Sequence, residues 1–426
     1  MKIRHVLRGS VAALSACAGL VAAVPAPGGP PTEPTGDTSP VKNRTSPATS
    51  GTNPGPAVLD PGNLQSAMDA VHHAGIPGVF GEVRDAGRTW RGASGVADVA
   101  TGRPVRPGMR QRVGSITKTF TAAAVMQQVE QGRIRLDAPI GDYLPHLVPG
   151  ERGRKITVRM LLNHTSGIPD YLPYAFPSLK GFPSLADVSA DSLDDNRFRR
   201  FRPAELIAMG LAAPPTGAPG GPVGVYSNSN YLLLGELLEQ VTGTPAEEYI
   251  TRHVIARAGL RHTEFPTGPR VKGPHSRMYE AFYGVIDPPR DFSVYDMSWV
   301  GTGAALVSTM PDVNRFYAEL LAGRIVGPAS LAEMQRTIPV RALDGSTVDY
   351  GLGIHRFTLP GCGTFWGHDG TVWGAGTMTM TSPDGTRQMS VAINLIRWNK
   401  PDASGRPQPH PIDGALRTLY RTAMCD

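Results

Sequence analysis

Ser115 and Lys118 lie three residues apart in a stretch, 115–126, whose composition predicts a helix. Side chains at positions i and i+3 share one face of a helix, so the Lys118 amine can reach the Ser115 hydroxyl. A serine in the first turn lies at the positive end of the helix dipole, and its backbone N–H has no intrahelical partner, which favours an alkoxide and supplies one oxyanion donor. The pair predicts a serine acyl hydrolase in which lysine takes the first proton; the structural alternative is a helix-capping serine followed by a solvated lysine.

A second group of polar side chains, Tyr226-Ser227-Asn228, precedes an apolar helix predicted over 232–242. Residues two apart on an extended segment point the same way. A phenol that can transfer protons and an amide that can hold a carbonyl would therefore enter one cleft. The alternative is a helix cap rich in Ser and Asn with a packed tyrosine.

A third group, His368-Asp369-Gly370-Thr371, lies in a stretch predicted to be a strand. A single histidine in a strand is more often a hydrogen-bonded structural group than a catalytic one. Gly370, however, allows a ligand to approach the backbone closely. The group therefore offers a candidate proton carrier beside an accessible backbone.

The three groups, in this order, resemble the motifs of the penicillin-recognising serine hydrolases, in the branch of class C β-lactamases and secreted serine D-alanyl-D-alanine carboxypeptidases. The resemblance extends from about Leu59 to Cys425 and includes the flanking segments 112–114, 161–168 and 350–353. It implies a β-lactamase/transpeptidase-like α/β fold. In that fold, an antiparallel sheet built from both chain ends and flanked by helices joins a mostly helical lobe.

The resemblance also implies acyl transfer through a covalent serine ester. Lys118, its pKa lowered by burial, and Tyr226 share the removal of the Ser115 proton. Tyr226 then protonates the leaving amine through a relay with Lys118 or His368. The backbone N–H groups of Ser115 and Thr371 form the oxyanion hole.

By the same resemblance, further residues bind the substrate. Gly370 makes the amide of the next residue accessible, and Asn228 holds the penultimate amide of the substrate. Trp299 lines the acyl pocket, or else is a core residue. An arginine that meets the substrate carboxylate would fall at His355 or Arg356, and the register leaves both open. No cofactor and no metal are expected.

One position departs from the resemblance, because the related carboxypeptidases and many class C β-lactamases have threonine where this chain has Asp369. A carboxylate facing the cleft would repel a substrate that ends in a carboxylate, whereas one facing away would only form a structural hydrogen bond. D-alanyl-D-alanine carboxypeptidase activity on peptidoglycan-type peptides is the leading expectation, with β-lactams as further ligands. β-Lactamase, esterase and D-aminopeptidase activities stay open, and a non-catalytic peptidoglycan- or penicillin-binding module is a remote alternative.

The predicted elements place these motifs around one cleft. Helices and hairpin strands are predicted over 64–73, 79–84, 89–96, 376–381, 389–394 and 412–423. The sheet is thus built from both chain ends, and residues 136–260 form the helical lobe. Ser115 enters the cleft from the lobe boundary, Tyr226 from the helical lobe and His368 from the sheet edge.

Residues 1–26 are predicted to be a signal peptide, because a basic start precedes a short Ala-rich apolar stretch. Cleavage is expected after Ala23 or Ala26. A lipobox-like sequence before Cys17 offers the alternative of a lipoprotein anchored through that cysteine. Either way, the protein is expected to be exported.

Residues 27–56 are predicted to be a disordered linker rich in Pro, Thr, Gly and Ser, and residues 57–426 a hydrolase domain. Cys362 and Cys425 are the cysteines of that domain. In an oxidising compartment they are expected to form a disulfide, as in the related carboxypeptidases; two free thiols are the alternative.

The formal net charge of +6 comes from 42 basic and 36 acidic residues without a basic cluster, which argues against nucleic-acid binding. No transmembrane span is predicted. The sequence has no Gly-x-Ser-x-Gly and no His-Glu-x-x-His, so a nucleophile-elbow lipase and a zinc amidase fit poorly. A monomer that acts on peptidoglycan peptides or small acyl substrates is expected.

Overall fold

A computed structural model describes residues 59–180, 185, 188–403 and 407–426. The predicted signal peptide (1–26) and linker (27–56) lie outside these residues. Among the described helices, none combines the length and the hydrophobicity that a membrane-spanning segment requires.

The α-helices alternate with short 3₁₀ turns through the middle of the chain. They are α1 (Pro61–His73), α2 (Thr117–Glu130), α3 (Gly150–Lys155), α4 (Val158–Leu162), α5 (Leu172–Ala175), α6 (Asp191–Asp195), α7 (Pro203–Ala212), α8 (Asn228–Thr242), α9 (Ala246–Ile250), α10 (Gly301–Ala304), α11 (Met310–Leu321), α12 (Pro328–Met334) and α13 (Pro411–Cys425). The helices α3 to α9 form the helical lobe, as the sequence predicts.

The strands come mainly from the two ends of the described chain. They are β1 (Gly78–Asp85), β2 (Arg88–Asp98), β3 (Arg103–Pro104), β4 (Gln111–Arg112), β5 (Gly224–Val225), β6 (Tyr279–Glu280), β7 (Arg290–Asp291), β8 (Val307–Ser308), β9 (Ile338–Arg341), β10 (Thr347–Tyr350), β11 (His355–Leu359), β12 (Gly363–Val372), β13 (Ala375–Thr381), β14 (Arg387–Ile393) and β15 (Leu395–Ile396).

The main sheet has ten strands in the order β3-β2-β1-β14-β13-β12-β11-β10-β9-β5. Its central pairing joins the two chain ends, with Val79 of β1 opposite Ile393 of β14 in antiparallel register. Only the edge strand β5 runs parallel to its neighbour β9 among the strands of this sheet. The predicted α/β fold with a sheet built from both chain ends is confirmed.

Alternation along the strands gives the sheet two apolar faces. On β1, Val79 and Val83 pack in the core under α1 and α13, whereas Phe80 belongs to the core shared with α2 and the helical lobe. In that second core, Phe120 of α2 stacks on Phe316 of α11 with ring centroids 3.6 Å apart. The sheet thus holds α2, the helix that begins beside Ser115, from one side, and the helical lobe holds it from the other.

Cys362 and Cys425 are joined by a disulfide, with their Cα atoms 5.3 Å apart. The bond connects the turn between β11 and β12 to the end of α13. The terminal helix is therefore tied covalently to the hairpin that carries the third sequence motif.

Candidate active site

Ser115 lies in a 3₁₀ turn, Gly114–Ile116, that leads directly into α2. The sequence places the helix correctly, although its first turn is tighter than an α-helix. Lys118 Nζ donates a hydrogen bond of 3.2 Å to Ser115 Oγ, so the predicted pairing of hydroxyl and amine is present. A nucleophile and a base are thus in direct contact.

The Lys118 amine is fully buried and also donates to Asn228 Oδ1 at 2.7 Å and to the Gly303 carbonyl at 3.0 Å. Burial lowers the pKa of Lys118 from 10.5 to about 7, while the carboxylates of Asp170 and Asp369 act in the opposite direction. The three hydrogen bonds hold the amine in place. Near neutral pH a large share of the protein therefore carries a neutral lysine beside the serine, which is the form that accepts a proton.

Tyr226 lies between the edge strand β5 and the helix α8, and its backbone N–H donates to the Arg341 carbonyl at 2.9 Å. Burial raises the pKa of the Tyr226 phenol well above its ordinary value, an effect that the Ser115 hydroxyl opposes. Among the described residues the phenol has no hydrogen bond of normal geometry. Tyr226 is thus a protonated group beside the serine, with Lys118 Nζ 4.8 Å from its ring centroid.

His164 supports Tyr226 from behind, with ring centroids 4.3 Å apart. Its Nδ1 accepts a hydrogen bond of 3.2 Å from the Ser227 N–H. Burial, reinforced by the Lys118 charge, lowers the pKa of His164 well below 6.5, so this ring is neutral. His164 therefore packs against the Tyr226-Ser227-Asn228 motif as an uncharged side chain.

Two glycines bring the strand β12 against the Ser115 turn. A Cβ on Gly370 would lie 1.9 Å from the Val113 carbonyl and 2.9 Å from the Ser115 nitrogen, and a Cβ on Gly114 would lie 2.5 Å from the Thr371 nitrogen. Real Cβ atoms do not approach so closely, so neither position admits another residue without displacement. The backbone amides of Ser115 and Thr371, predicted to form the oxyanion hole, are consequently neighbours.

The residues of the third motif differ in their access to the cleft. Asp369 and Thr371 line the cleft together with Ser115, whereas His368 does not. His368 is buried behind the cleft, where its Nδ1 donates to the Asp369 carbonyl at 2.5 Å and its Nε2 accepts from the Tyr350 hydroxyl at 3.2 Å. The predicted relay through His368 thus has no direct hydrogen bond to the serine or the lysine among the described residues.

The strand β11 carries both candidates for the position that meets the substrate carboxylate, His355 and Arg356, and places them differently. His355 is buried and lines the cleft, while Arg356 is exposed and donates to Asp349 at 2.8 Å on the other face of the sheet. The choice of Arg356 as a substrate-binding residue is therefore not supported by its position. Burial, helped by the Lys118 charge, lowers the pKa of His355 to about 3, so the residue at this place is neutral.

The cleft has an empty volume of about 590 Å³ and two chemically different ends. Beyond Thr371 along β12 lies an aromatic end, where Trp299 stacks on Trp373 with centroids 5.1 Å apart. Before Thr371 lies a polar end with Asp369 and His355, and residues 342–343 also line the cleft. Trp299 therefore lines the cleft and is not only a core residue.

Asn228 also lines the cleft, but both ends of its amide have protein partners. Its oxygen accepts from Lys118, and its Nδ2 donates to Asp170 Oδ2 at 2.8 Å. The second Nδ2 hydrogen is left for a substrate carbonyl, the predicted role of this residue.

Sequence reasoning missed several residues of the site. Asp170 follows the flanking segment 161–168, but no spacing in the sequence relates it to Asn228. Arg397 lines the aromatic end with its guanidinium 5.2 Å from the Trp373 ring centroid, and it donates to the buried Glu280 at 2.5 Å. These contacts join residues that are far apart in the chain, so no local sequence pattern could have predicted them.

One donor set in the described residues could hold a metal ion: ligand atoms of His355, His368 and Asp369 lie within 4.8 Å of one another. Asp369 Oδ1 is 3.7 Å from Nδ1 of each histidine. Both ring nitrogens of His368 are already hydrogen-bonded, however, and a histidine needs a free nitrogen to bind a metal. The set is incomplete as it stands, and the chemistry above does not depend on it.

The family model described as Beta-lactamase matches residues 64–410 of the chain. A D-stereospecific amidohydrolase from Streptomyces sp. is 32% identical, with 86% of this chain and 99% of that chain covered and a TM-score of 0.71. The D-amino acid amidase from Ochrobactrum anthropi SV3 has the same fold, at 23% identity, 85% and 97% coverage and a TM-score of 0.68.

A D-aminopeptidase of Cereibacter sphaeroides is 26% identical over 343 residues, which are 79% of this chain and 60% of the relative. The chain thus spans about three fifths of the length of such curated relatives. The family match, the 32% identity over nearly a whole homologous chain and the shared fold agree with the geometry of the site. The chain therefore belongs to the beta-lactamase family and is an enzyme of the β-lactamase/transpeptidase-like serine hydrolases.

Proposed function

We propose that the protein is a serine amidohydrolase that cleaves amides or short peptides of D-amino acids whose leaving amine carries no carboxylate. The observation that carries the proposal is the place of Asp369, whose buried side chain lines the cleft where the related carboxypeptidases have threonine. The expected D-alanyl-D-alanine carboxypeptidase activity would place a carboxylate against this side chain.

The reaction begins with attack of Ser115 Oγ on the carbonyl carbon of the substrate. Neutral Lys118 takes the hydroxyl proton, and the negative charge that develops on the carbonyl oxygen is met by the N–H groups of Ser115 and Thr371. The C–N bond then breaks, and the departing amine takes a proton from the Tyr226 hydroxyl, which recovers it from the Lys118 ammonium. A water molecule hydrolyses the resulting serine ester by the reverse proton path.

The proton donor indicates which end of the cleft takes the leaving group. Tyr226 and Asp369 both line the cleft, and the Asp369 carboxylate adds to the rise in the pKa of Tyr226 that burial produces. The carboxylate thus lies near the group that protonates the leaving amine. A neutral or cationic amine is favoured there, and an amino acid with a free carboxylate is repelled.

The aromatic end then takes the side chain of the acyl residue. Trp299 and Trp373 offer a flat apolar surface that suits an aromatic or large aliphatic side chain. The names of the similar proteins, a D-stereospecific amidohydrolase and a D-aminopeptidase, support D-configuration at the acyl residue.

The test compares purified enzyme on D-phenylalanine amide, L-phenylalanine amide and an N-acyl D-Ala-D-Ala peptide. We expect the D-amide to give the highest kcat/KM, and Ser115→Ala to remove activity on all three. Faster hydrolysis of the D-Ala-D-Ala peptide would reject the proposal in favour of a carboxypeptidase. Mass spectrometry after exposure to penicillin separates a lasting acyl adduct on Ser115 from rapid turnover.

A further inference from the structure

Asn228 can hold the charged form of Lys118 in only one orientation of its side-chain amide. The amide oxygen accepts the hydrogen bond from the Lys118 amine, at 2.7 Å. The flipped amide would present an N–H group to a lysine that can only donate when it is charged. Something must therefore keep the amide from turning, because rotation about the last side-chain bond of asparagine is soft.

Asp170 is the group that meets the other end of this amide. Its Oδ2 accepts from Asn228 Nδ2 at 2.8 Å and from the Asn228 backbone N–H at 2.9 Å, while Oδ1 accepts from the Leu172 N–H at 2.9 Å. A carboxylate offers only acceptors, so it permits the Nδ2 group and rejects the amide oxygen. Asp170 and Lys118 thus select the same orientation from opposite sides.

The segment around Asp170 is itself docked on the start of α8. Ser229 Oγ donates to the Pro169 carbonyl at 2.6 Å, and Ser166 Oγ donates to Asn230 Oδ1 at 2.7 Å. The carboxylate also lies at the N-terminus of α8, where the helix dipole favours a negative charge. The carboxylate is consequently held in place by contacts that do not involve the catalytic lysine.

We propose that Asp170 is a positioning residue, which fixes the amide of Asn228 so that its oxygen holds Lys118 beside Ser115. This inference rests on the roles proposed above for Ser115 and Lys118. Asp170 has a second effect through space, because its negative charge favours the charged form of Lys118. Loss of the carboxylate removes both the attraction and the orientation of the amide, and both losses favour neutral lysine.

Other titratable groups also face Lys118, and their charge states must not change over the pH range of the test. Asp369 comes from β12, His355 from β11, and His164 from the turn before Asp170. The two histidines are neutral over the working range, and the phenols of Tyr226 and Tyr231, 4.8 and 5.3 Å from Lys118 Nζ to the ring centroids, are protonated. Lys118 is thus expected to titrate near neutral pH, whereas these histidines and phenols are not.

The first measurement is the pH dependence of kcat/KM for an uncharged p-nitrophenyl ester in wild type and Asp170→Asn. Asparagine keeps the volume and removes the charge. We expect the acid limb of the profile to move to lower pH by on the order of one unit. An acid limb at the wild-type pH would overturn the inference.

Asp413→Asn is the matched control, because Asp413 likewise accepts from a backbone N–H, that of His410 at 2.8 Å, and from an asparagine Nδ2, that of Asn399 at 2.9 Å, and it does not line the cleft. We expect this variant to lower the unfolding temperature without moving the acid limb. A shift of the limb in Asp413→Asn equal to that in Asp170→Asn would also overturn the inference, because it would assign the effect to general destabilisation.

The second measurement is a double-mutant cycle with Asp170→Ala and Asn228→Ala. If Asp170 acts through Asn228, Asp170→Ala lowers kcat/KM by on the order of 10²-fold in wild type, and by much less when Asn228 is already alanine. An equal loss in both backgrounds would overturn the inference. If Asp170→Ala does not fold, the isosteric Asp170→Asn decides alone.

Ser115→Ala separates this inference from the proposed function. Ester hydrolysis that persists in Ser115→Ala overturns the nucleophile and the positioning role together. Activity that depends on Ser115, combined with an unshifted acid limb in Asp170→Asn, overturns the positioning role only.

Discussion

Replacing Asp369 by threonine tests the proposed preference against substrates with a carboxylate on the leaving group. Asp369 precedes Thr371, whose N–H is proposed to meet the oxyanion, by two residues on β12, which is a Cα spacing of about 7 Å. We take this length as the scale of the separation between the Asp369 carboxylate and a substrate carboxylate. Two unit negative charges about 7 Å apart repel by about 0.6 kcal/mol in water and by about 2.4 kcal/mol at an effective dielectric of about 20. These energies correspond to about 3-fold and about 60-fold in kcat/KM.

Asp369→Thr should therefore raise kcat/KM for an N-acyl D-Ala-D-Ala peptide by about 3- to 60-fold relative to kcat/KM for the matching C-terminal amide. The gain should shrink as salt is added, because ions screen the repulsion. Asp349→Thr is the control, since Asp349 carries the same charge, is exposed and pairs with Arg356 outside the cleft. Equal changes on the two substrates, or the same gain in Asp349→Thr, would refute the reasoning.

Three further expectations concern the base, the backbone and the disulfide. Since neutral Lys118 is the proton acceptor and its pKa is about 7, kcat/KM for an uncharged ester should rise with pH up to about 7 and level off above it; an acid limb near pH 10 would contradict the buried environment. Gly370→Ala should lower kcat by on the order of 10²-fold in a folded protein, because the new methyl group forces β12 away from the Ser115 turn, and steady-state kinetics with circular dichroism checks this. Thiol labelling should find neither Cys362 nor Cys425 free in the unreduced protein, and reduction should lower the free energy of unfolding by about 4 kcal/mol, measured by denaturant titration, because the bond closes a 63-residue loop.

Much of the fold and the core of the site can be predicted from the sequence because they depend on local geometry. The spacing of Ser115 and Lys118 brings their side chains together as soon as a helix forms, whatever packs around it. The hairpins at both ends of the chain follow from strand alternation and turn residues, and the helical lobe over 136–260 was expected from the fold that the family resemblance implies. Cys362 and Cys425 were predictable as a pair because they are the two cysteines of the predicted hydrolase domain, residues 57–426, and because the related carboxypeptidases carry such a pair.

The orientation of side chains around the cleft was decided by tertiary packing. Asp369 and Thr371 line the cleft, whereas the His368 ring lies behind it against His355, with ring centroids 4.1 Å apart. The packing of β12 on the Ser115 turn, where Gly370 leaves no room for a side chain, sets this arrangement.

Tertiary packing also decides which of His355 and Arg356 lines the cleft. A shift of the β11 register by one residue would exchange the faces on which the two side chains lie. Asp170 lies 58 residues from Asn228 in the chain, and no periodicity connects the two. The sequence by itself determined a serine and a lysine in contact within this family of hydrolases. The tertiary structure decided which charges surround them, because charges that meet across the cleft belong to elements whose relative positions are set by the core and not by spacing along the chain.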